Sequence, residues 1–285
     1  MCATCRGDRM AIGILDSGVG GLSILREVRA QLPAEDIVYC ADQAHVPYGP
    51  RTIDEVRAFT VGVARFLMSQ GVRVVVVACN TASAAALHPL REMFPEMPFV
   101  GMEPAVKPAA LATKTGVIGV IATEATFQSE LFASVVGRFT QGVRVETRAC
   151  PEFVRLAEAG DTDSPAAHLA VKNCLDPLIQ AGIDQLVLGC THFPFLTDAI
   201  KAFIGPGVTL VDPSVPVARQ VGRVLAAQNL RRNGASAGHT TFYTSGDVGQ
   251  FWAVSDRLLG VAAGGRDVRA VRWNAAGLET AEARG

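Results

Sequence analysis

Apolar positions along this chain follow two alternating patterns. Near-continuous apolar runs at Ala11–Leu15, Val72–Ala78, Val117–Ile121, Val143–Val145 and Gln185–Leu188 read as strands. Between them, apolar residues recur at helical spacing. Leu22, Leu25 and Val28 share one face, and Pro33 ends that helix. Thr52 and Glu55 have the spacing of a capping box. They open a helix with Ile53, Val56, Phe59, Val63 and Phe66 inward, closed by Gly71. Ser164 with Pro165 starts another helix, which Gly182 ends. Thr240–Thr244 reads as a late strand and Val248–Leu259 as a last helix. The stretch after Trp273, rich in Ala, Gly and Glu, reads as frayed or as a short helix. The alternation predicts an α/β architecture with mostly parallel strands.

The pattern repeats. Gly71-Val-Arg-Val-Val-Val-Val-Ala-Cys79 matches Gly182-Ile-Asp-Gln-Leu-Val-Leu-Gly-Cys190 in form: a Gly, a strand, then Cys eight positions later. Small or polar pairs follow each, Asn80-Thr81 and Thr191-His192. Upstream, Ile12–Ser17 parallels Ile118–Thr123. The two offsets, 111 and 106 residues, suit two related halves. Parallel α/β sheets place ligands at the carboxyl ends of their strands. Two facing halves therefore bring Cys79 and Cys190 to opposite sides of one cleft.

Composition narrows the class. The chain has 285 residues, 49% hydrophobic and 19% charged, which suits a well-packed globular protein. A formal net charge of −1 supplies no field to draw in nucleic acid or an anionic membrane. No apolar run reaches bilayer length, and Met1–Met10 lacks a secretory core, so a cytoplasmic protein is expected. The seven cysteines are odd in number and irregularly spaced, and in a reducing compartment they are expected as thiols. Cys40, Cys150 and Cys174 read as buried apolar filler. Cys2 and Cys5 form a lone C-x-x-C without a second ligand pair, which reads as a frayed terminus and not as a zinc site. No metal is expected.

The cofactor motifs fail. Ser23 stands where the third glycine of a dinucleotide loop belongs, and no P-loop is present. The Gly18–Gly21 loop suits a small anion, such as a carboxylate, at a helix N-terminus. Only four lysines occur, Lys107, Lys114, Lys172 and Lys201. None sits in a strand-end motif where a pyridoxal Schiff base is expected. No cofactor is expected.

The candidate chemistry rests on the matched thiols. A loop leading into a helix N-terminus lowers a thiol's pKa. His192, two residues after Cys190, is placed to exchange a proton near neutral pH. Asp16 is the comparable group in the first half, although an N-cap explains it equally well. Glu152 follows Cys150-Pro151 and is either a site residue or an ordinary first-turn glutamate.

Asp16-Ser-Gly-Val-Gly-Gly-Leu22, Pro47-Tyr-Gly49, Ala78-Cys-Asn-Thr81 and Leu188-Gly-Cys-Thr-His-Phe-Pro194 resemble the defining segments of the glutamate racemases, within the aspartate/glutamate racemase superfamily. The resemblance runs from about Ile12 to Leu259 and includes Phe242–Asp247. It implies two similar α/β domains related by pseudo-symmetry, with the active site between them. The first comprises residues 1–102 completed by 211–285, and the second residues 103–210. It also implies cofactor-independent racemisation by Cys79 and Cys190. Asp16 would support Cys79, with His192 and Glu152 supporting Cys190. Ser17, Pro47, Tyr48, Gly49, Asn80, Thr81 and Thr191 would line the substrate site with Asp16 and His192, together with one of Thr123 or Thr126. The implied substrate is glutamate, the implied role is supply of D-glutamate for bacterial peptidoglycan, and a homodimer is the expected assembly. Both thiols disfavour single-cysteine decarboxylases and a non-catalytic amino-acid binding protein. The Asp16–Gly21 and Pro47–Gly49 segments favour glutamate over aspartate.

Overall fold

The apolar runs become the central strands of two separate sheets. A computed structural model describes residues 11–232, 236–260 and 267–281. Cys2 and Cys5 lie outside the described residues. The first half runs β1 (Ala11–Asp16), α1 (Leu22–Gln31), β2 (Ile37–Ala41), α2 (Ile53–Ser69), β3 (Val72–Val77), α3 (Asn80–Met93) and β4 (Phe99–Gly101). The second runs α4 (Val106–Ala112), β5 (Val117–Ala122), α5 (Glu124–Phe127), α6 (Glu130–Phe139), β6 (Arg144–Ala149), α7 (Pro151–Glu158), α8 (Pro165–Gln180), β7 (Gln185–Leu188), α9 (Thr197–Ile204) and β8 (Thr209–Val211). Then follow α10 (Ser214–Ala227), β9 (Thr240–Thr244), α11 (Val248–Leu259), β10 (Val268–Asn274) and β11 (Gly277–Thr280).

One sheet has the order β11-β10-β9-β2-β1-β3-β4, the other β6-β5-β7-β8. Every pairing is parallel except β10 with β11. β1 and β3 are buried along their whole length with helices on both faces, which is why their sequences are unbroken apolar runs. β6 is an edge strand, partly exposed, and its sequence carries charges throughout. Chain crosses between the sheets after β4 and again after β8. α4 packs Val106 and Ala109 on the second sheet, whereas α10 packs Val217, Val221 and Leu225 into the core of the first.

Matched segments do matched work. Gly71 and Gly182 have φ of 77° and 81°, a left-handed conformation that turns a helix end into a strand and that other residues rarely adopt. In register, Leu15 pairs Val77 and Ile121 pairs Leu188, so Asp16 lies beside the end of β3 and Ala122 beside the end of β7.

Three expectations are corrected. Residues 274–280 are not frayed: β10 and β11 form an antiparallel hairpin on the edge of the first sheet. Ile53 is 52% exposed and not inward; it is the first residue of α2, and burial begins with Val56. Cys150 and Cys174 are not free thiols. They form a disulfide, with Cα atoms 6.1 Å apart, tying the start of α7 to α8. The capping box of Thr52 and Glu55 is present as expected.

Candidate active site

Four strand ends converge on one buried cleft. Cys79 follows β3 and caps α3, its Sγ accepting from the Ala82 N–H at 3.4 Å. Cys190 follows β7 and lies 3.6 Å from His192 Nδ1. Both thiols are 7% exposed, and Asp16, Ser17, Asn80, Thr81, Thr191 and His192 are buried around them. Cys190 is near enough to influence ionisation of Cys79.

The two sides differ in charge. Burial, followed by the carboxylate of Asp16, pushes the Cys79 thiol well above its ordinary range. The N-terminus of α3 opposes this shift, so the expected lowering by a helix end is present but outweighed. On the other side, burial alone would pull His192 down. Contacts with Cys190 and Glu158 override it and hold the imidazole well above its usual value. His192 Nε2 lies 2.6 Å from Glu158 Oε1 while Nδ1 faces the Cys190 sulfur. With an acceptor at each nitrogen, the doubly protonated ring fits best.

Glu158 replaces Glu152 here. Glu152 stands on the first turn of α7, exposed, paired with Arg155 at 2.6 Å. Glu158, at the last turn of the same helix, also accepts the Val19 N–H at 2.8 Å, joining the second half to the β1–α1 loop. Asp16 is not an N-cap, since Gly21 holds that position in α1. Its carboxylate accepts from Gly18 N–H at 2.9 Å and from Thr191 Oγ1 at 3.2 Å. Burial raises the Asp16 pKa, partly offset by His192.

The halves meet closely. Ser23 Oγ donates to the Thr191 carbonyl at 2.9 Å. A Cβ at Gly20 would come within 2.5 Å of His192 Nδ1, so glycine allows this approach. Thr81 and Thr123 hydroxyls are 3.0 Å apart across the cleft, and Gly49 rests on Thr123. Between the two candidate threonines, Thr123 therefore faces the other half, with Thr126 hydrogen-bonded behind it at 3.0 Å. Both polar atoms of the buried Asn80 amide are unpartnered, a costly state unless a ligand completes it. Tyr48 is buried, but its hydroxyl donates to Asp42 at 2.7 Å; Pro47 is exposed at the rim, after a cis Val46–Pro47 bond. No described helix is long and apolar enough to cross a membrane.

Comparison with known proteins agrees with this arrangement. A family model described as Asp/Glu/Hydantoin racemase matches residues 12–221. A glutamate racemase of Ectopseudomonas mendocina is 45% identical over 249 residues, 87% of this chain and 94% of the relative. The Escherichia coli glutamate racemase structure, in complex with L-glutamate and the activator UDP-MurNAc-Ala, superposes with TM-score 0.82 at 31% identity, covering 93% of this chain and 99% of that one. The Francisella tularensis glutamate racemase in complex with D-glutamate gives TM-score 0.80 at 30% identity, covering 92% and 97%. On a match spanning most of its length and both halves of its cleft, this chain belongs to the Asp/Glu/hydantoin racemase family.

Proposed function

We propose that this protein is a glutamate racemase that moves the α-proton between two thiols without a cofactor. The observation that carries this reading is the pair of buried cysteines at matched strand ends, one on each half of a single cleft. Relatives that bind D- and L-glutamate support the substrate.

The unequal surroundings of the thiols set a starting state. His192, held protonated, lies between the Cys190 sulfur and Glu158, a cation placed to stabilise the thiolate form when Cys190 acts as base. Cys79 stays a neutral thiol, because its pocket offers burial and a carboxylate but no cation. Following the family resemblance, Cys190 removes the α-proton of L-glutamate and Cys79 delivers its own to the opposite face. The product is D-glutamate, with Cys190 now a thiol and Cys79 a thiolate. The reverse reaction, or proton exchange with solvent, restores the start. The substrate's ammonium group lowers the cost of the Cys79 thiolate beside Asp16.

The carbanion formed at Cα places charge on the α-carboxylate. Hydrogen-bond donors already aimed at that group stabilise it without reorganising. Asn80, with its unpaired amide, and the hydroxyls of Ser17 and Thr81 suit this task. Burial excludes water that would compete for those donors. The resemblance further supports a cytoplasmic role, supplying D-glutamate for peptidoglycan.

The test is incubation with D-glutamate alone after exhaustive dialysis against chelator, with no pyridoxal phosphate, nucleotide or metal added. Chiral chromatography is expected to show L-glutamate rising to a 1:1 mixture. Activity lost on dialysis and restored by one of those additions overturns the cofactor-free reading. Aspartate, one methylene shorter, leaves polar groups of the site unpaired and is expected to be a poor substrate. Comparable kcat/KM for aspartate moves the protein to another branch of the family.

A further inference from the structure

Asp42 is a fully buried carboxylate that the chemistry above does not use. It follows β2, and its backbone N–H donates to the Asp16 carbonyl at 3.0 Å, so it borders the cleft. Its side chain gathers four polar partners from three segments of the chain. Tyr48 Oη and Trp273 Nε1 each donate at 2.7 Å. Ser245 Oγ donates at 2.9 Å, and His45 Nδ1 lies 2.9 Å away. His45 and Tyr48 flank the exposed Pro47 and lead into Gly49, where a Cβ would come within 3.2 Å of Thr123 across the cleft.

Trp273 comes from β10, more than two hundred residues later. Its ring stands edge-on to His45 at 5.2 Å and to Phe59 at 5.9 Å, while His45 stacks on Phe59 at 3.8 Å. A Cβ at Gly62 would come within 2.5 Å of the indole, so α2 accepts this ring only because glycine stands there. The indole is thus seated by packing, and its N–H is aimed at the same carboxylate that holds Tyr48.

We propose that Trp273 is a positioning residue for the 45–49 segment, acting through Asp42 and Tyr48, so that the C-terminal hairpin sets the substrate-binding wall of the cleft. The proposal rests on the reading that this segment binds glutamate. A buried carboxylate tolerates loss of a donor poorly, because no water replaces it. Trp273→Phe keeps an aromatic ring against His45 and Phe59 but removes the N–H. Asp42 then recruits its remaining donors differently, and the Tyr48 hydroxyl moves with it.

The experiment measures steady-state kinetics with glutamate and backbone hydrogen exchange across residues 43–49 of the unliganded protein. Trp273→Phe is expected to raise KM about tenfold with kcat within about threefold, and to speed exchange in that segment. Trp273→His, which can restore a ring N–H, is expected to recover part of both. Tyr48→Phe is expected to raise KM similarly. The double variant is expected to be no more than about twofold worse than Tyr48→Phe, since both act through one carboxylate. Arg272→Gln, which breaks only the exposed Arg272–Glu279 pair of the same hairpin, is expected to change neither readout. Unchanged KM and exchange in Trp273→Phe overturn the proposal, as do effects that multiply in the double variant. If Trp273→Phe fails to fold, Trp273→His and Tyr48→Phe still decide the coupling. A wild-type protein inactive on glutamate defeats the proposed function instead, while hydrogen exchange still reports whether Trp273 positions the segment.

Discussion

The two sides of the cleft share a backbone plan and differ in their protons. Each presents a cysteine two residues past a buried strand, with a hydrogen-bonding pair behind it. On the Cys79 side stand a helix N-terminus and a buried carboxylate, and the thiol keeps its proton. On the Cys190 side a histidine bridges thiol and Glu158, so a proton can leave the sulfur without leaving the site. Duplication of a fold supplies two opposed positions. Different second partners give them different surroundings, a carboxylate beside Cys79 and an imidazole beside Cys190, and the proposed two-base racemisation draws on that difference.

The largest effect comes from erasing either side. Cys79→Ala and Cys190→Ala are each expected to lower racemisation by at least about 10³-fold, because one face of Cα then lacks a proton donor or acceptor. The surviving thiol still serves its own enantiomer. Deuterium incorporation followed by NMR is expected to persist slowly with D-glutamate in Cys190→Ala and with L-glutamate in Cys79→Ala. Near-normal racemisation by Cys79→Ala points to a single base and a mobile intermediate.

Removing the asymmetry without removing a thiol comes next. Glu158→Gln deprives His192 of its balancing charge and is expected to lower kcat/KM about 10²-fold. The loss must be equal in both directions, because the equilibrium constant is one. The unequal sides are expected to show instead in a larger α-deuterium isotope effect with L-glutamate. Glu152→Gln, on the exposed first turn of the same helix, is expected to stay within about twofold of wild type. A reversal of these two results returns the role to Glu152.

The same contrast should appear in stability. His192 and Cys79 both hold a proton more tightly folded than unfolded. Each contribution is complete below the unfolded value and is lost as pH rises through the folded one. Urea unfolding is therefore expected to show stability falling above about pH 6.5 for His192 and again above about pH 9 for Cys79. Cys79→Ala is expected to flatten only the second decline. Stability that rises from pH 7 to pH 10 contradicts these directions.

The smallest catalytic effect is expected away from the cleft. Cys174→Ser opens the Cys150–Cys174 link, which closes a loop with sequence separation 24, and should cost roughly 3 kcal/mol of stability. Expected kcat/KM stays within about twofold. A large loss of activity at unchanged stability would tie the disulfide to the geometry of α7 and Glu158.

Much of the site was legible because its signals are local. A strand followed by cysteine needs only the apolar run and the residue after it, and repetition of that pattern marked both thiols. Glu158 was missed although a clue existed. Glu152 and Arg155 have the i, i+3 spacing of a surface ion pair, which argues against a buried role for Glu152. The hairpin after Trp273 was missed because its charged and small residues suit a sheet edge and give no apolar run.

Sequence by itself determined the α/β alternation, the two halves, and the cysteines at their strand ends. Periodicity, capping and turn chemistry all act over a few residues, and they leave their mark within that span. Tertiary structure decided that Glu158 backs His192, that Cys150 meets Cys174, and that Trp273 reaches Asp42. Those pairings join residues from 24 to more than two hundred positions apart. They depend on how sheets twist, stack and close on one another, and no local pattern encodes that geometry.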